Sequence, residues 1–231
     1  MQRYEIAGLK IDMQPVGRTV QQAAPYASAV SGEADLTIEI DTARVIENSA
    51  WIKDDDVAYY MSSGSRFSVA LLDHQGFMLH SSAIVLDGKA YLFSAPSGTG
   101  KSTHTEKWIR LFGAQYLNDD KPALRLVDGV WMAYGTPWSG KHDLSSPLGV
   151  PLGGIAFLGR DSENSIEPLE PGEALPCLMS QTVYTLSARR MDLLLGVVDQ
   201  LLRSVPVWQL KCKNEDEAAL LSHRVMTGAS L

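Results

Sequence analysis

Apolar positions along the chain recur with two periods, and they change from one to the other around residue 95. Residues 90–94 (Ala-Tyr-Leu-Phe-Ser) form a short apolar, aromatic run of the kind that makes a buried strand. After a glycine-rich stretch, Thr105, Trp108, Ile109 and Phe112 recur at i, i+3, i+4 and i+7, which predicts a helix stopped by Gly113. Upstream, residues 3–6 and 9–13 read as strands flanking Gly8, and residues 34–40 alternate apolar and polar as a half-buried strand does. Residues 41–66 read as irregular. Their acidic run Asp54-Asp55-Asp56 reads as a solvated loop whose three carboxylates also have the chemistry to hold a metal. Residues 67–72 and 77–80 read as a strand pair around Asp73-His74-Gln75-Gly76.

Hairpins dominate the middle of the chain. Residues 83–86 and 90–94 flank Asp87-Gly88-Lys89, and residues 123–127 and 130–134 flank Asp128-Gly129; Asp-Gly between apolar runs is a strong turn signal. Tyr116-Leu117 leads into Asn118-Asp119-Asp120. Residues 135–153, rich in Gly, Pro and Ser, read as a loop, and 155–158 as a strand ending at Gly159-Arg160. The last third reads as helical. Leu194, Val197, Val198, Leu201, Leu202 and Val205 form one stripe, N-capped by Ser187 and ended by Pro206. Residues 207–210 suit one further strand. Asn214 with Glu217 resembles a capping box before a short helix carrying Ala218, Leu221 and Val225. The expected fold class is α/β with α+β character: a mixed, largely antiparallel sheet with flanking helices. No repeat or linker divides the chain. Residues 1–231 are expected to form one domain, with N-terminal strands over 1–75, a core over 76–160 and a helical part over 161–231.

Composition changes this picture little. Hydrophobic residues at 45% suffice for a real core. A net charge of −7 argues against nucleic acid as the main partner, since tracking its backbone needs a basic face. No apolar run is long enough to span a membrane, and the start of the chain lacks a signal-peptide stretch. Cys177 and Cys212 have neither metal-ligand spacing nor a disulfide framework, and are expected to be buried free thiols in a reducing cytoplasm.

The chemistry concentrates in Ala95-Pro96-Ser97-Gly98-Thr99-Gly100-Lys101-Ser102. This is the wording of a phosphate-binding loop with Ala95 at the usual first glycine, set between a strand and a helix as such a loop requires. Backbone amides of Ser97, Gly98, Thr99, Gly100 and Thr103 would cradle the phosphates of ATP, Lys101 would neutralise the outer ones, and the Ser102 hydroxyl would ligate Mg²⁺. Asp119 and Asp120 stand 18 and 19 residues after Lys101, at the end of the next strand. There one acid can serve the metal and the other the acceptor hydroxyl, and an Asx turn capping a strand end is the plainer alternative. Trp138 and Lys141 in the glycine-rich loop have the chemistry to stack on a base or meet a phosphate; Lys121 and Arg160 are further candidates of that kind.

Taken together, His80, the hairpin, Ser97-Gly98-Thr99-Gly100-Lys101-Ser102 and Asn118-Asp119-Asp120 resemble the catalytic domain of HPr kinase/phosphorylase, which shares one phosphate-loop fold with the phosphoenolpyruvate carboxykinases. The resemblance covers residues 78–160. It implies a kinase that moves the γ-phosphoryl of Mg-ATP to a hydroxyl on a peptide, protein or small molecule. It also implies that one Asp of the pair accepts the proton, that His80 stands near the phosphates, and that the chain can form homo-oligomers. HPr kinases carry a further glutamate in a Glu-Ile-Arg-Gly-like signature; the corresponding stretch here, residues 134–141, has no carboxylate. That difference motivates a second reading, a nucleotide-responsive binding module with little catalysis. Carboxykinase-type phosphotransfer is a third.

Overall fold

The computed structural model describes residues 1–140, 142–182 and 187–229. Its centre is a mixed sheet in the order β4(Gly76–Met78), β8(Ala123–Val127), β9(Val130–Tyr134), β10(Gly149–Arg160), β6(Lys89–Ser94), β5(Ser81–Leu86), β7(Gln115–Asn118), with β12(Val207–Cys212) also on β10 and β11(Ser165–Pro168) outside β12. Only β10 with β6 and β10 with β12 are parallel in this sheet. The α/β class with a largely antiparallel mixed sheet is therefore as expected. A smaller sheet holds β1(Gln2–Ile6), β2(Leu9–Met13) and β3(Leu36–Ile38).

Helices cover these sheets: α1(Arg18–Ala23), α2(Thr42–Glu47), α3(Asp55–Leu71), α4(Lys101–Phe112), α5(Pro171–Ser180), α6(Ala188–Leu202) and α7(Asp216–Thr227). The apolar stripe of α6 packs with α5 on one side of the central sheet, against Leu92, Ile155 and Val207. Trp108 of α4 and Met226 of α7 pack on the other side with Tyr91, Phe93 and Leu210. A third cluster joins the small sheet to Phe67 and Leu71 of α3. Each position that the sequence pattern placed on the α4 and α6 stripes is buried, except Ile109, Phe112 and Leu202, which are half-buried. Both Asp-Gly hairpins form with left-handed turn residues, Asp87 at φ 50° and Asp128 at φ 49°.

The N-terminal third departs from expectation. Residues 67–72 are not a strand, and 41–66 are not irregular; most of both stretches belong to α2 and α3. The acidic run is neither a solvated loop nor a metal cage. Asp54 caps α3 by accepting the Val57 amide at 2.8 Å, and Asp55 and Asp56 sit in its first turn, where the helix dipole favours negative charge. The strand over 34–40 shortens to β3. The tail is not purely helical, because β11 and β12 extend the sheet, and β10 begins at Gly149, inside the expected loop. Asn214 is not a cap: α7 starts after Glu215 without a side-chain cap, and the Asn214 Oδ1 accepts from Lys107 Nζ. Ser187 does cap α6. Both cysteines are half-buried free thiols, not fully buried ones.

Candidate functional site

The loop between β6 and α4 closes on itself at Thr99, whose amide donates to Pro96 O at 3.3 Å, and then runs into a helix start with no side-chain cap. Gly100 stands at the N-cap of α4 with φ 122°, a conformation that L side chains rarely adopt, and no side chain caps the helix. The first hydrogen bond of the helix runs from His104 N to Gly100 O, so the amides of the first turn face outward unclaimed by the helix itself. Together with the dipole of this 12-residue helix, they make a site for an anion. Methyl groups built on Gly98 or Gly100 would meet nothing within 4 Å, so the space above the loop is open. Ser97 and Thr103 are exposed, while Thr99 and Ser102 are half-buried.

Lys101 is buried, and its ammonium donates to Ala95 O at 2.8 Å. Burial pushes its pKa down, and the Asp120 carboxylate opposes that shift. A lysine held this way keeps its charge close to the loop without competing solvent.

The acids reach the same place because adjacent strands end there. Ser81 pairs with Ser94 across β5 and β6, and Ala83 pairs with Asn118 across β5 and β7. The start of β5 and the ends of β6 and β7 therefore lie side by side. His80, the loop and the Asp pair extend from those three points. Asn118 is buried and fixes the turn: its Oδ1 accepts from Asp120 N at 2.9 Å and Lys121 N at 2.6 Å, while its Nδ2 donates to Thr136 O at 2.9 Å. The Asx turn and the functional reading are thus one arrangement, since the turn is what presents the carboxylates. Gly140, at φ 72°, closes over them; a methyl there would stand 2.9 Å from Asp120 Cβ.

The resulting cleft, about 440 Å³, is lined by His80, Gly98, Lys101, Ser102, Asp119 and Asp120, with Gly140 and His142 on its rim. His80 Nε2 lies 3.3 Å from Asp120 Oδ1, and His80 Nδ1 lies 2.9 Å from Gln181 Oε1. Burial, then the nearby Lys101, push the His80 pKa below its ordinary value, so the ring is mainly neutral at pH 7. A neutral ring donates to one of these two oxygens at a time; a protonated ring satisfies both. The His80–Asp120 pair therefore has room for one more proton. Lys121 Nζ stands 3.6 Å from Asp120 Oδ2.

Asp119 differs from its neighbour. Its Oδ1 is buried without a hydrogen-bond partner. Burial first, then the Asp120 charge, raise its pKa to about 6. An unsatisfied buried carboxylate oxygen is costly and fits a cation ligand. Because the folded state holds this proton more tightly than the unfolded chain, ionising Asp119 weakens the fold. Stability falls as pH rises from 3.8 to about 6 and is flat beyond. The Asp119→Asn variant is expected to melt higher than wild type at pH 7.5, with the difference closing at pH 4, as thermal melts at both values would read.

Not every sequence candidate comes to this cleft. Trp138 is 1% exposed and stacks on Phe67 with ring centroids 4.9 Å apart, while its Nε1 donates to Ser63 Oγ at 3.1 Å. It is a core residue and cannot stack on a base. Lys141 lies outside the described residues. The Arg160 guanidinium is already engaged: Nε donates to Thr99 O at 3.2 Å and Nη2 to Gly98 O at 2.5 Å. It braces the loop. Sequence reading missed His142, Gln181 and Tyr60. Tyr60 Oη accepts the Gly140 amide at 3.3 Å, and the Arg18 guanidinium covers its ring at 4.0 Å. His142 sits inside the glycine-rich loop, next to Lys141, where the sequence offers it as a candidate; Tyr60 and Gln181 carry no local signal.

No protein-family model matches the chain, and no curated protein matches it. Among solved structures it is similar to the Hpr(Ser) kinase/phosphatase from Coxiella burnetii, with a TM-score of 0.39 and 11% identity, over 65% of this chain and 88% of that one. The functional reading rests on the cleft itself. Among the described residues no helix is long and apolar enough to cross a membrane.

Proposed function

We propose that the chain is an ATP-dependent phosphotransferase that moves the γ-phosphoryl group to a hydroxyl acceptor. One observation carries the reading: an uncapped helix N-terminus, the Lys101 ammonium and an Asp pair converge on a single cleft. Phosphoryl transfer needs little beyond charge neutralisation, a metal and a positioned base. The first-turn amides of α4 and Lys101 supply the first. Ser102 and Asp119 would hold Mg²⁺, and the unpartnered Asp119 Oδ1 is the feature that fits it. Among the described residues no three His, Cys, Asp or Glu side chains gather as a metal cage, which suits an ion that takes one or two protein ligands and completes its shell with phosphates and water. Bound Mg²⁺ would offset charge on the phosphate oxygens.

Asp120, backed by His80, is the proton acceptor in this reading. The acceptor hydroxyl attacks the γ-phosphorus, the new O–P bond forms as the bond to the β-phosphate oxygen breaks, the hydroxyl proton passes to Asp120, and ADP leaves. The acceptor approaches from the side of His80 and His142, away from the loop.

Calorimetric titration with Mg-ATP tests the reading. Wild type is expected to bind, and Lys101→Met is expected to weaken binding about 10–150-fold, the worth of a hydrogen bond to a charged group. Binding with no loss of γ-phosphate in the presence of hydroxyl acceptors would mark a nucleotide-responsive module instead. No binding by wild type would end the reading.

A further inference from the structure

Residues 34–40 alternate apolar and polar throughout, yet within them only β3 is paired. β3 ends the small sheet, which runs β1-β2-β3. Its neighbour β2 lies parallel to it, with Ile11 opposite Leu36 and Met13 opposite Ile38. The other end of that sheet is covered: Tyr4 of β1 bridges to Ala27, and the Ser28 amide donates to Arg3 O at 3.0 Å. Among the described residues no strand or bridge lies on the outer edge of β3. Such an edge carries a row of backbone donors and acceptors open to another strand. Beside it runs a groove of about 700 Å³ between β3 and α3. Leu36, Ile38 and Ile40 leave the chain on one face, two residues apart. Ile38 is 1% exposed and packs with Phe67 and Leu71 of α3, while the half-buried Leu36 and Ile40 line the groove. Met61, Ser65 and Val69, at i, i+4 and i+8 on α3, line its other side.

Three charged side chains line the groove: Arg66 of α3, Asp73 just beyond α3, and Arg190 in the first turn of α6. Both arginines are exposed, and neither makes an ion pair among the described residues. Arg190 gains nothing from its helix, whose dipole disfavours a cation in the first turn. Two unpaired guanidinia beside apolar side chains, in a chain of net charge −7, complement a ligand that carries both acidic and apolar groups. We propose that this groove and the outer edge of β3 dock an acidic, apolar segment of a partner protein as an added strand. The segment pairs its backbone with β3, turns alternate apolar side chains toward Leu36, Ile40, Met61 and Val69, and brings a carboxylate to Arg66 and Arg190. Main-chain pairing gives such a complex its affinity, and the pockets for alternate side chains give it selectivity. The proposal stands apart from the nucleotide reading, because the groove shares no residue with the acid-lined cleft.

Fluorescence anisotropy with a labelled peptide tests it. The probe alternates valine and threonine and carries a pair of glutamates at each end; a control carries lysines in their place. Wild type is expected to bind the glutamate probe at least about tenfold more tightly than the lysine control, and the double variant Arg66→Glu, Arg190→Glu to reverse that order. Methylating the alternate backbone nitrogens of the probe that face β3 removes its donors, and is expected to weaken binding about tenfold in one of the two possible registers and much less in the other. Ser65→Trp fills the groove and is expected to weaken the probe by a similar factor. All three positions are exposed, so thermal melts of the variants are expected to match wild type. No binding of the glutamate probe by wild type, or binding that survives both the charge reversal and Ser65→Trp, would overturn the site. Indifference to methylation in both registers would overturn the added strand. Self-association of wild type, read by sedimentation and abolished by the charge reversal, would give the edge to a second copy of the chain and overturn the partner.

Discussion

Asp120→Asn is expected to lower the rate of phosphoryl transfer about 10²–10⁴-fold, the usual contribution of a positioned general base. Asparagine keeps the shape of the side chain and preserves the backbone turn, because that turn is held by Asn118 Oδ1 and the main chain of residues 120 and 121. It removes the group that takes the proton and breaks the pairing with His80 Nε2. Mg-ATP affinity is expected to change little, since Lys101 and the amides of α4 are untouched. The loss therefore belongs in kcat, read by single-turnover transfer at saturating ATP. Asp119→Asn is expected to differ in kind, with its defect relieved in part by raised Mg²⁺. Equal turnover of Asp120→Asn and wild type would exclude Asp120 as the base.

Trp138→Ala is expected to cost about 3–5 kcal/mol, the range for emptying a large aromatic site, and to lower the melting temperature by on the order of 10 °C. The indole is stacked on Phe67, bonded to Ser63, and pressed against Gly64, where an added methyl would stand 2.9 Å from Trp138 Cδ1. Trp138→Phe keeps the stacking and loses the Nε1 bond, so a smaller cost near 1 kcal/mol is expected. A nucleotide-stacking tryptophan would give the opposite result, with stability unchanged and ATP affinity lost. Chemical denaturation of the three proteins separates the two.

That same contact accounts for the largest misreading of the sequence. Residues 62–65, Ser-Ser-Gly-Ser, carry poor helix formers and read as loop, which leaves 67–72 to read as a strand. In the fold this stretch is the part of α3 against which Trp138 lies, and the small side chains are what admit the ring. Packing across 75 residues of chain overrides local propensity, and neither partner announces the other. The opposite held for the loop, α4 and the hairpins. There glycine at fixed offsets, the i, i+3, i+4, i+7 stripe and Asp-Gly turns are local signals, and local signals survive without tertiary knowledge. The Asp pair falls between. Its place at a strand end was legible, but the roles of its members were not: the orphaned Asp119 oxygen and the His80 contact exist only after β5 and β7 pair.

Arg160 reaches back 61 residues to the Thr99 carbonyl. In a trans peptide the carbonyl and the following N–H point in opposite directions, and every described peptide here is trans. Pulling Thr99 O toward the end of β10 therefore turns the Gly100 N–H the other way. The strand end acts as a latch on one peptide plane, set before any ligand arrives. A chain with Ala at position 160 would have to orient that plane anew each time an anion lands, and would lose the corresponding entropy at every encounter.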